Sequence, residues 1–142
     1  MWKIPLFDID FDTRELEAVR GVIKSVWLTM GEVTERFELR FAEFLGARHA
    51  IAVSSCTAAL HLANLALNIR EGDEVVCPAF TFISGANSIL NIGAKPVFAE
   101  ITGIDNFNIS PSDIEKKITR KTRAIQVVHY AGFPCDMGKI MS

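Results

Sequence analysis

A run of small polar residues, Ser54-Ser55-Cys56-Thr57, lies between the short apolar run 50–53 and an Ala- and Leu-rich segment. Where a strand leads into a helix, the first N–H groups of the helix lack acceptors, and the helix dipole adds positive potential. These donors and the neighbouring hydroxyls suit a phosphate group. A plain helix cap by Ser55 or Thr57 needs only one hydroxyl. The segment by itself leaves a phosphate cradle and a helix cap as open alternatives.

Aromatic residues follow a second predicted strand. Phe80 and Phe82 come just after the run 74–77, which Pro78 ends. An aromatic ring at the end of a strand can stack on a flat cofactor ring. The alternative is that both side chains belong to the hydrophobic core.

A histidine and a tyrosine follow the predicted strand 123–128. His129 and Tyr130 could contact a ligand or take part in proton transfer. The alternative for His129 is a structural role in which its ring is hydrogen-bonded.

The elements that would position these residues are short apolar runs alternating with helical segments. This order predicts an α/β fold with a mainly parallel sheet flanked by helices. Ligands of such sheets bind beyond the carboxyl ends of the strands, where the candidate residues lie. Residues 1–47 are expected to form an N-terminal helical segment, and residues 48–142 the α/β domain. The patterns predict helices from about 13 to 25, 32–45 (stopped by Gly46), 57–69, 82–92 and 110–118, strands at 50–53, 74–77, 95–100 and 123–128, and a solvated turn at 103–106.

Composition excludes several classes of function. Of the 142 residues, 49% are hydrophobic and 23% charged, which is typical of a soluble globular protein. The net charge is −2 without a basic stripe, so nucleic acid is not an expected partner. The uncharged stretches 49–69 and 75–94 contain many polar side chains. We therefore expect a buried core there and no membrane association.

Cysteine usage and motif content narrow the choice further. The three cysteines lack CxxC spacing, and an odd number of free thiols fits a reducing cytoplasm. Close Cys or His pairs with zinc-ligand spacing are missing, so no metal site is expected. The sequence also lacks a Walker loop, a GxGxxG fingerprint and a GxSxG nucleophile elbow.

Several strings, taken in order, resemble the sugar aminotransferases of the DegT/DnrJ/EryC1/StrS family. These enzymes belong to the fold type I, aspartate-aminotransferase-like group that uses pyridoxal phosphate. The likeness covers essentially the whole chain. The matching strings are Trp27-Leu28-Thr29-Met30-Gly31, Ser54-Ser55-Cys56-Thr57-Ala58-Ala59-Leu60-His61-Leu62-Ala63, Gly72-Asp73-Glu74-Val75, Pro78-Ala79-Phe80-Thr81-Phe82, Gly93-Ala94-Lys95-Pro96-Val97-Phe98 and Val128-His129-Tyr130-Ala131-Gly132.

The resemblance implies how the cofactor is held. Ser55, Cys56 and Thr57 would bind the phosphate of pyridoxal phosphate, and Phe82 would stack on its pyridine ring. Many relatives have Gly at the position of Cys56, and many have Gly at the position of Val26. Residues 48–142 would be the first, incomplete part of the large cofactor-binding domain of this transferase fold.

The resemblance also implies substrates and partners. Thr29, His129 and Tyr130 would contact a nucleotide-linked keto sugar, which receives an amino group from a donor such as glutamate. Family members are dimers with active sites at the subunit boundary, so we expect a homodimer.

The residues that carry the family's chemistry are not assigned in this chain. The lysine that forms the Schiff base, and the aspartate that pairs with the pyridine nitrogen, lie beyond residue 142 in the family's order. We therefore expect an N-terminal part of an aminotransferase, inactive by itself. The alternatives are a truncated, non-catalytic partner-binding module and a fragment of a related pyridoxal-phosphate-dependent sugar dehydratase.

Overall fold

The structure is a computed structural model that describes residues 7–142, so the first six residues of the predicted segment 1–47 lie outside the described part. The chain divides into two compact units, one ending at Ala52 and the other beginning at Val53. Each unit is described by itself.

The first unit contains two helices, α1 (Thr13–Ser25) and α2 (Glu32–Leu45). Asp12 caps α1 by accepting a hydrogen bond from the Arg14 N–H at 2.7 Å, and the Asp12 N–H donates to Glu15 at 2.8 Å. The backbone of Glu15, the third helical residue, also contacts the Asp12 side chain, and these reciprocal contacts between Asp12 and Glu15 form a capping box. Gly46 ends α2 with φ +65°, as predicted from its position.

Helix α1 ends on a residue that rarely adopts the backbone found there. Val26 has φ 61° and ψ 5°, in the left-handed region. A β-branched side chain crowds the backbone in that region, whereas glycine adopts it freely. The left-handed backbone at Val26 is one that a glycine would adopt without strain.

The second unit is the α/β part of the chain. The predicted α/β class, with a mainly parallel sheet between helices, is confirmed. Its elements are α3 (Cys56–Ala66), β1 (Glu74–Pro78), α4 (Ser84–Leu90), β2 (Lys95–Ala99), β3 (Ile101–Gly103), β4 (Asn106–Ile109), α5 (Pro111–Lys117), β5 (Thr122–Ile125), a 3₁₀ turn (Tyr130–Gly132) and α6 (Met137–Ile140).

Three parallel strands form the main sheet in the order β2-β1-β5. Val76 of the central strand lies opposite Val97 on one side and Ile125 on the other. The connection from β1 runs to one side and the later chain returns to the other, so β1 marks a topological switch point.

Strand β1 is buried on both faces. Val75 and Cys77 pack into one cluster with Ile89 of α4, whereas Val76 packs into a second cluster with Ile114 of α5. All five residues of β1 are buried, which fits the consecutive apolar residues Val75, Val76 and Cys77 at its centre. Burial raises the pKa of the Cys77 thiol to about 11.

Two sequence predictions about strands differ from the structure. Residues 50–53 form no strand, because a strand depends on ladder partners and the described strands give this run none. The predicted turn at 103–106 is the tip of an antiparallel hairpin made by β3 and β4. The second strand of this hairpin has only four residues, and a run that short beside a turn is a weak strand pattern.

Candidate functional site

The N-terminus of α3 carries the first group of candidate residues. Ser55 is the N-cap, and its Oγ accepts a hydrogen bond from the Ala58 N–H at 3.2 Å. The Ala59 N–H donates to the Ser55 carbonyl at 3.0 Å. Among residues 7–142, the N–H groups of Cys56 and Thr57 have no acceptor, and both residues are exposed. Of the two cap candidates, Ser55 caps the helix and Thr57 does not, and two backbone donors remain at the helix end.

This donor set fits a phosphate group. Free N–H groups at a helix N-terminus point toward an anion, and the helix dipole favours its charge. The hydroxyl of Thr57 adds a third donor beside them. Cys56 is the first residue of the helix and does not have the positive φ that would demand glycine. That Ser55, Cys56 and Thr57 bind a cofactor phosphate stays a prediction.

A cavity at the carboxyl ends of β1 and β5 contains the second group of candidates. Its volume is about 400 Å³. Phe82 is 75% exposed, so its ring is not part of the core that the described residues form. An exposed ring that lines a cavity has a face available to a planar ligand. The lining residues are Phe80, Thr81, Phe82, Val128, Tyr130 and Ala131.

Three aromatic rings support one wall of this cavity. Phe80 stacks on Tyr130 with centroids 5.4 Å apart and planes at 28°. Phe107 lies 5.3 Å from Phe80 and 5.3 Å from Tyr130, the latter edge to face. Such pairs contribute roughly 0.5–1.5 kcal/mol each beyond their buried area. The structure thus brings three candidates, Phe80, Phe82 and Tyr130, to one cavity and adds Phe107, a ring without an assigned role.

His129 has a structural hydrogen bond. Its Nδ1 accepts from the Cys135 N–H at 2.9 Å, and the Cys135 thiol donates to the Val128 carbonyl at 3.2 Å. An accepting Nδ1 means that the proton of the neutral ring is on Nε2. One ring nitrogen of His129, Nδ1, therefore has the structural role that the sequence left open as an alternative. Substrate contact by the remainder of its exposed ring stays a prediction.

Thr29 belongs to the first unit. It lines a separate cavity of about 580 Å³ between α1 and α2. Trp27 shapes this segment, because its Nε1–H donates to the Met30 carbonyl at 3.0 Å. A role for Thr29 in substrate binding stays a prediction.

Asn108 was missed by the sequence reasoning. It is only 3% exposed on β4, and its side-chain amide contacts the backbone of the segment 130–134. The alternation of Asn106-Phe107-Asn108-Ile109 was the local signal for a strand that presents Asn108 and Ile109 to opposite faces.

The described residues also bear on metals and membranes. In residues 7–142, three or more His, Cys, Asp or Glu side chains do not come together as a metal site would require. None of the helices in that part of the chain is both long and apolar enough to cross a bilayer. All three cysteines are free thiols, of which Cys56 is exposed.

Comparison with known proteins points to a single group of enzymes. The family model described as "DegT/DnrJ/EryC1/StrS aminotransferase family" matches residues 10–142. The chain is 44% identical over 135 residues to a GDP-perosamine synthase of Vibrio cholerae, a match that covers 94% of this chain and 36% of the relative. It is 45% identical over 128 residues to the spore coat polysaccharide biosynthesis protein SpsC of Bacillus subtilis, covering 90% and 33%.

Solved structures give the same result for the fold. Spr1654 of Streptococcus pneumoniae in its PLP form superposes with a TM-score of 0.90 at 31% identity, covering 99% of this chain and 36% of that one. The chain therefore spans about a third of the length of the proteins it resembles.

Proposed function

Because the chain belongs to the DegT/DnrJ/EryC1/StrS aminotransferase family, we propose that it is the N-terminal, cofactor-holding part of an aminotransferase acting on nucleotide-linked keto sugars. Pyridoxal phosphate is the cofactor of this family, and the α/β unit has the architecture of the first part of a fold type I large domain. The observation that carries the proposal is the capped end of α3, where the N–H groups of Cys56 and Thr57 have no acceptor in the described chain.

Two parts of the α/β unit bind different parts of the cofactor. Cys56 and Thr57 bind the phosphate through backbone N–H groups and the threonine hydroxyl, while the Ser55 cap keeps the first helical turn in place. Phe82 offers a ring face to the pyridine ring, and Tyr130 with Phe80 forms the adjoining wall. When bound, pyridoxal phosphate supplies the carbonyl group and the electron-withdrawing ring through which amino groups are exchanged.

The proposed substrate contacts rest on the family resemblance. Thr29, His129 and Tyr130 contact the nucleotide-linked keto sugar, and an amino acid such as glutamate is the amino donor. The complete enzyme is a homodimer and works in the cytoplasm, where free thiols persist.

Residues 7–142 are proposed to bind the cofactor without turning it over. The cavity at the carboxyl ends of the strands is lined by aromatic, aliphatic and threonine side chains, and lysine is not among them. The amine that bonds covalently to the cofactor carbonyl therefore has to come from a residue outside this lining. Borohydride trapping of the cofactor on one lysine of the 142-residue chain, with turnover, would contradict this part of the proposal.

Phosphate binding by the cradle is tested by titrating the folded chain with pyridoxal phosphate and following the ³¹P resonance. We expect saturable binding by the wild type. Thr57→Val removes a hydroxyl donor to a charged group and should weaken binding about tenfold.

Thr13→Val is the matched control, because Thr13 is an exposed threonine in the first turn of α1. This variant should bind as the wild type does. Absence of saturable binding by the folded wild type, or equal binding by the Thr57→Val variant, would rule out the cradle.

A further inference from the structure

Asn108 is the most completely engaged buried amide in the α/β unit. Its Nδ2 donates to the carbonyl oxygens of Phe133 and Pro134 at 3.1 and 3.0 Å. Its Oδ1 accepts from the Tyr130 N–H at 2.9 Å. A side-chain amide has two donor hydrogens and one acceptor oxygen, and here all of them contact the segment 130–134.

The hairpin fixes the position of this amide. The Asn108 N–H donates to Asn106 Oδ1 at 3.1 Å, and the Asn108 carbonyl accepts from the Thr102 hydroxyl at 3.1 Å. Asn108 is therefore anchored through its own backbone while its side chain reaches across to another part of the chain.

The segment 130–134 needs such support. Ala131 has φ 51°, in a region that costs free energy for a residue with a Cβ atom. Gly132 follows with φ 84°. The segment lies outside the strand ladders, and its residues are exposed or half-buried. Hydrogen bonds from a buried amide offset the cost of this backbone conformation.

We infer that Asn108 is a positioning residue that holds Tyr130 against Phe80 and thereby fixes the wall of the cavity that Phe82 also lines. The Tyr130 N–H is bonded directly to Asn108, and the Tyr130 ring stacks on Phe80. Loss of the amide releases the backbone on both sides of Ala131, so the ring leaves its stacked position. The inference rests on the proposed function only in taking this cavity as the one that receives the cofactor.

Tyr130 is the sole tyrosine of the chain, which makes it a specific reporter. Labelling with 3-fluorotyrosine gives one ¹⁹F resonance from its ring. Asn108→Asp keeps the shape of the side chain but presents a carboxylate oxygen to two carbonyls, so both donated hydrogen bonds are lost. We expect the Tyr130 resonance to move toward that of unfolded chain while the helical content stays native.

Asn64→Asp is the matched control. Asn64 is 5% exposed, and its Nδ2 donates to the buried Ser88 hydroxyl at 3.2 Å between α3 and α4. This change also removes a buried amide donor, but it does so away from Tyr130. Its Tyr130 resonance should stay at the wild-type position. Equal displacement in both variants, or no displacement in the Asn108→Asp variant, would overturn the inference.

Asn108→Ser covers the case in which the aspartate variant does not fold. A serine hydroxyl is too short to reach both carbonyls, so the resonance should still move, and an unmoved resonance would overturn the inference. Titration with pyridoxal phosphate is the second readout, and binding to a folded Asn108 variant should weaken about tenfold.

The two readouts separate the positioning role from the proposed function. A displaced Tyr130 resonance with no cofactor binding by the wild type would refute the proposed function and leave the positioning role supported. Tight binding by the wild type with an undisturbed Tyr130 resonance in the variants would support the proposed function and refute the positioning role.

Discussion

The two ends of the parallel sheet differ in whether their polar groups have partners within the protein. At the amino end, Glu74 accepts hydrogen bonds from the Thr119 hydroxyl at 2.6 Å and from Lys95 at 3.2 Å. Asp73 accepts from the Arg123 guanidinium at 3.1 Å. Both acidic residues are buried and both have a cationic partner on a neighbouring strand or connection.

The carboxyl end has the opposite character. Phe80 and Phe82 are 49% and 75% exposed, and the lining of their cavity contains no charged residue. At the N-terminus of α3, the N–H groups of Cys56 and Thr57 likewise have no acceptor in the described chain. An end with internal partners for its polar groups stabilises the fold, whereas apolar faces and free donors left exposed are typical of a binding surface.

Removing the Glu74 carboxylate should give the largest effect, and it should be on stability. Glu74→Ala deletes the acceptor for Thr119 and Lys95 at once, so the side-chain hydrogen bonds from β1 to β2 and to the segment before β5 are lost. We expect the thermal midpoint to fall by several degrees with cofactor binding at low temperature unchanged. Glu115→Ala, on the exposed side of α5, is the control and should leave the midpoint within about one degree.

Phe82→Ala should give the converse result at the other end. Because the ring is largely exposed, its loss should leave the thermal midpoint almost unchanged. If the ring stacks on the cofactor, the dissociation constant for pyridoxal phosphate should rise about tenfold. Phe44→Ala, at a residue 84% exposed on α2, is the matched control for loss of an exposed phenylalanine. A fall in stability without weaker binding would mean that Phe82 stabilises the fold and does not bind the cofactor.

Local pattern predicted the elements whose formation depends on local chemistry. The buried run of β1, the Ser55 cap and the Gly46 stop all follow from adjacent residues, because apolar continuity and capping are short-range effects. The run 50–53 shows the limit of this reasoning. Its apolar character is that of a strand, but strand formation depends on a pairing partner that composition does not reveal.

The hydrogen bonds by which Asn108 supports the cavity wall could not be predicted from local pattern. Asn108 reaches Tyr130, Phe133 and Pro134 across 22, 25 and 26 positions of sequence. Contacts of that span arise from the fold, and a lone asparagine in an alternating run carries no sign of its partner. Resemblance to a family suggested Phe82 and Tyr130 individually, whereas their common cavity follows from the geometry of β1 and β5.

Lowering the pH should have a smaller effect on stability, and this effect should come from the acidic residues at the amino end of the sheet. The hydrogen bond from Arg123, reinforced by that from the Arg70 N–H, lowers the pKa of Asp73, and the bond from Thr119, then that from Lys95, lowers the pKa of Glu74. A carboxyl group with a lowered pKa in the folded state stabilises the protein above its unfolded pKa, and this contribution is lost as pH falls through the folded value.

We therefore expect the free energy of unfolding, measured with urea, to decline below about pH 4. Asp73→Asn should make this decline shallower because one of the titrating groups is gone. The change should be modest and should shrink in high salt, since the Arg123 side chain is 58% exposed. Asp105→Asn, in the exposed hairpin turn, is the control and should keep the wild-type profile. If Asp73→Asn leaves the acid decline as steep as in the wild type, the paired charges at the amino end do not account for stability, and the contrast between the two ends fails.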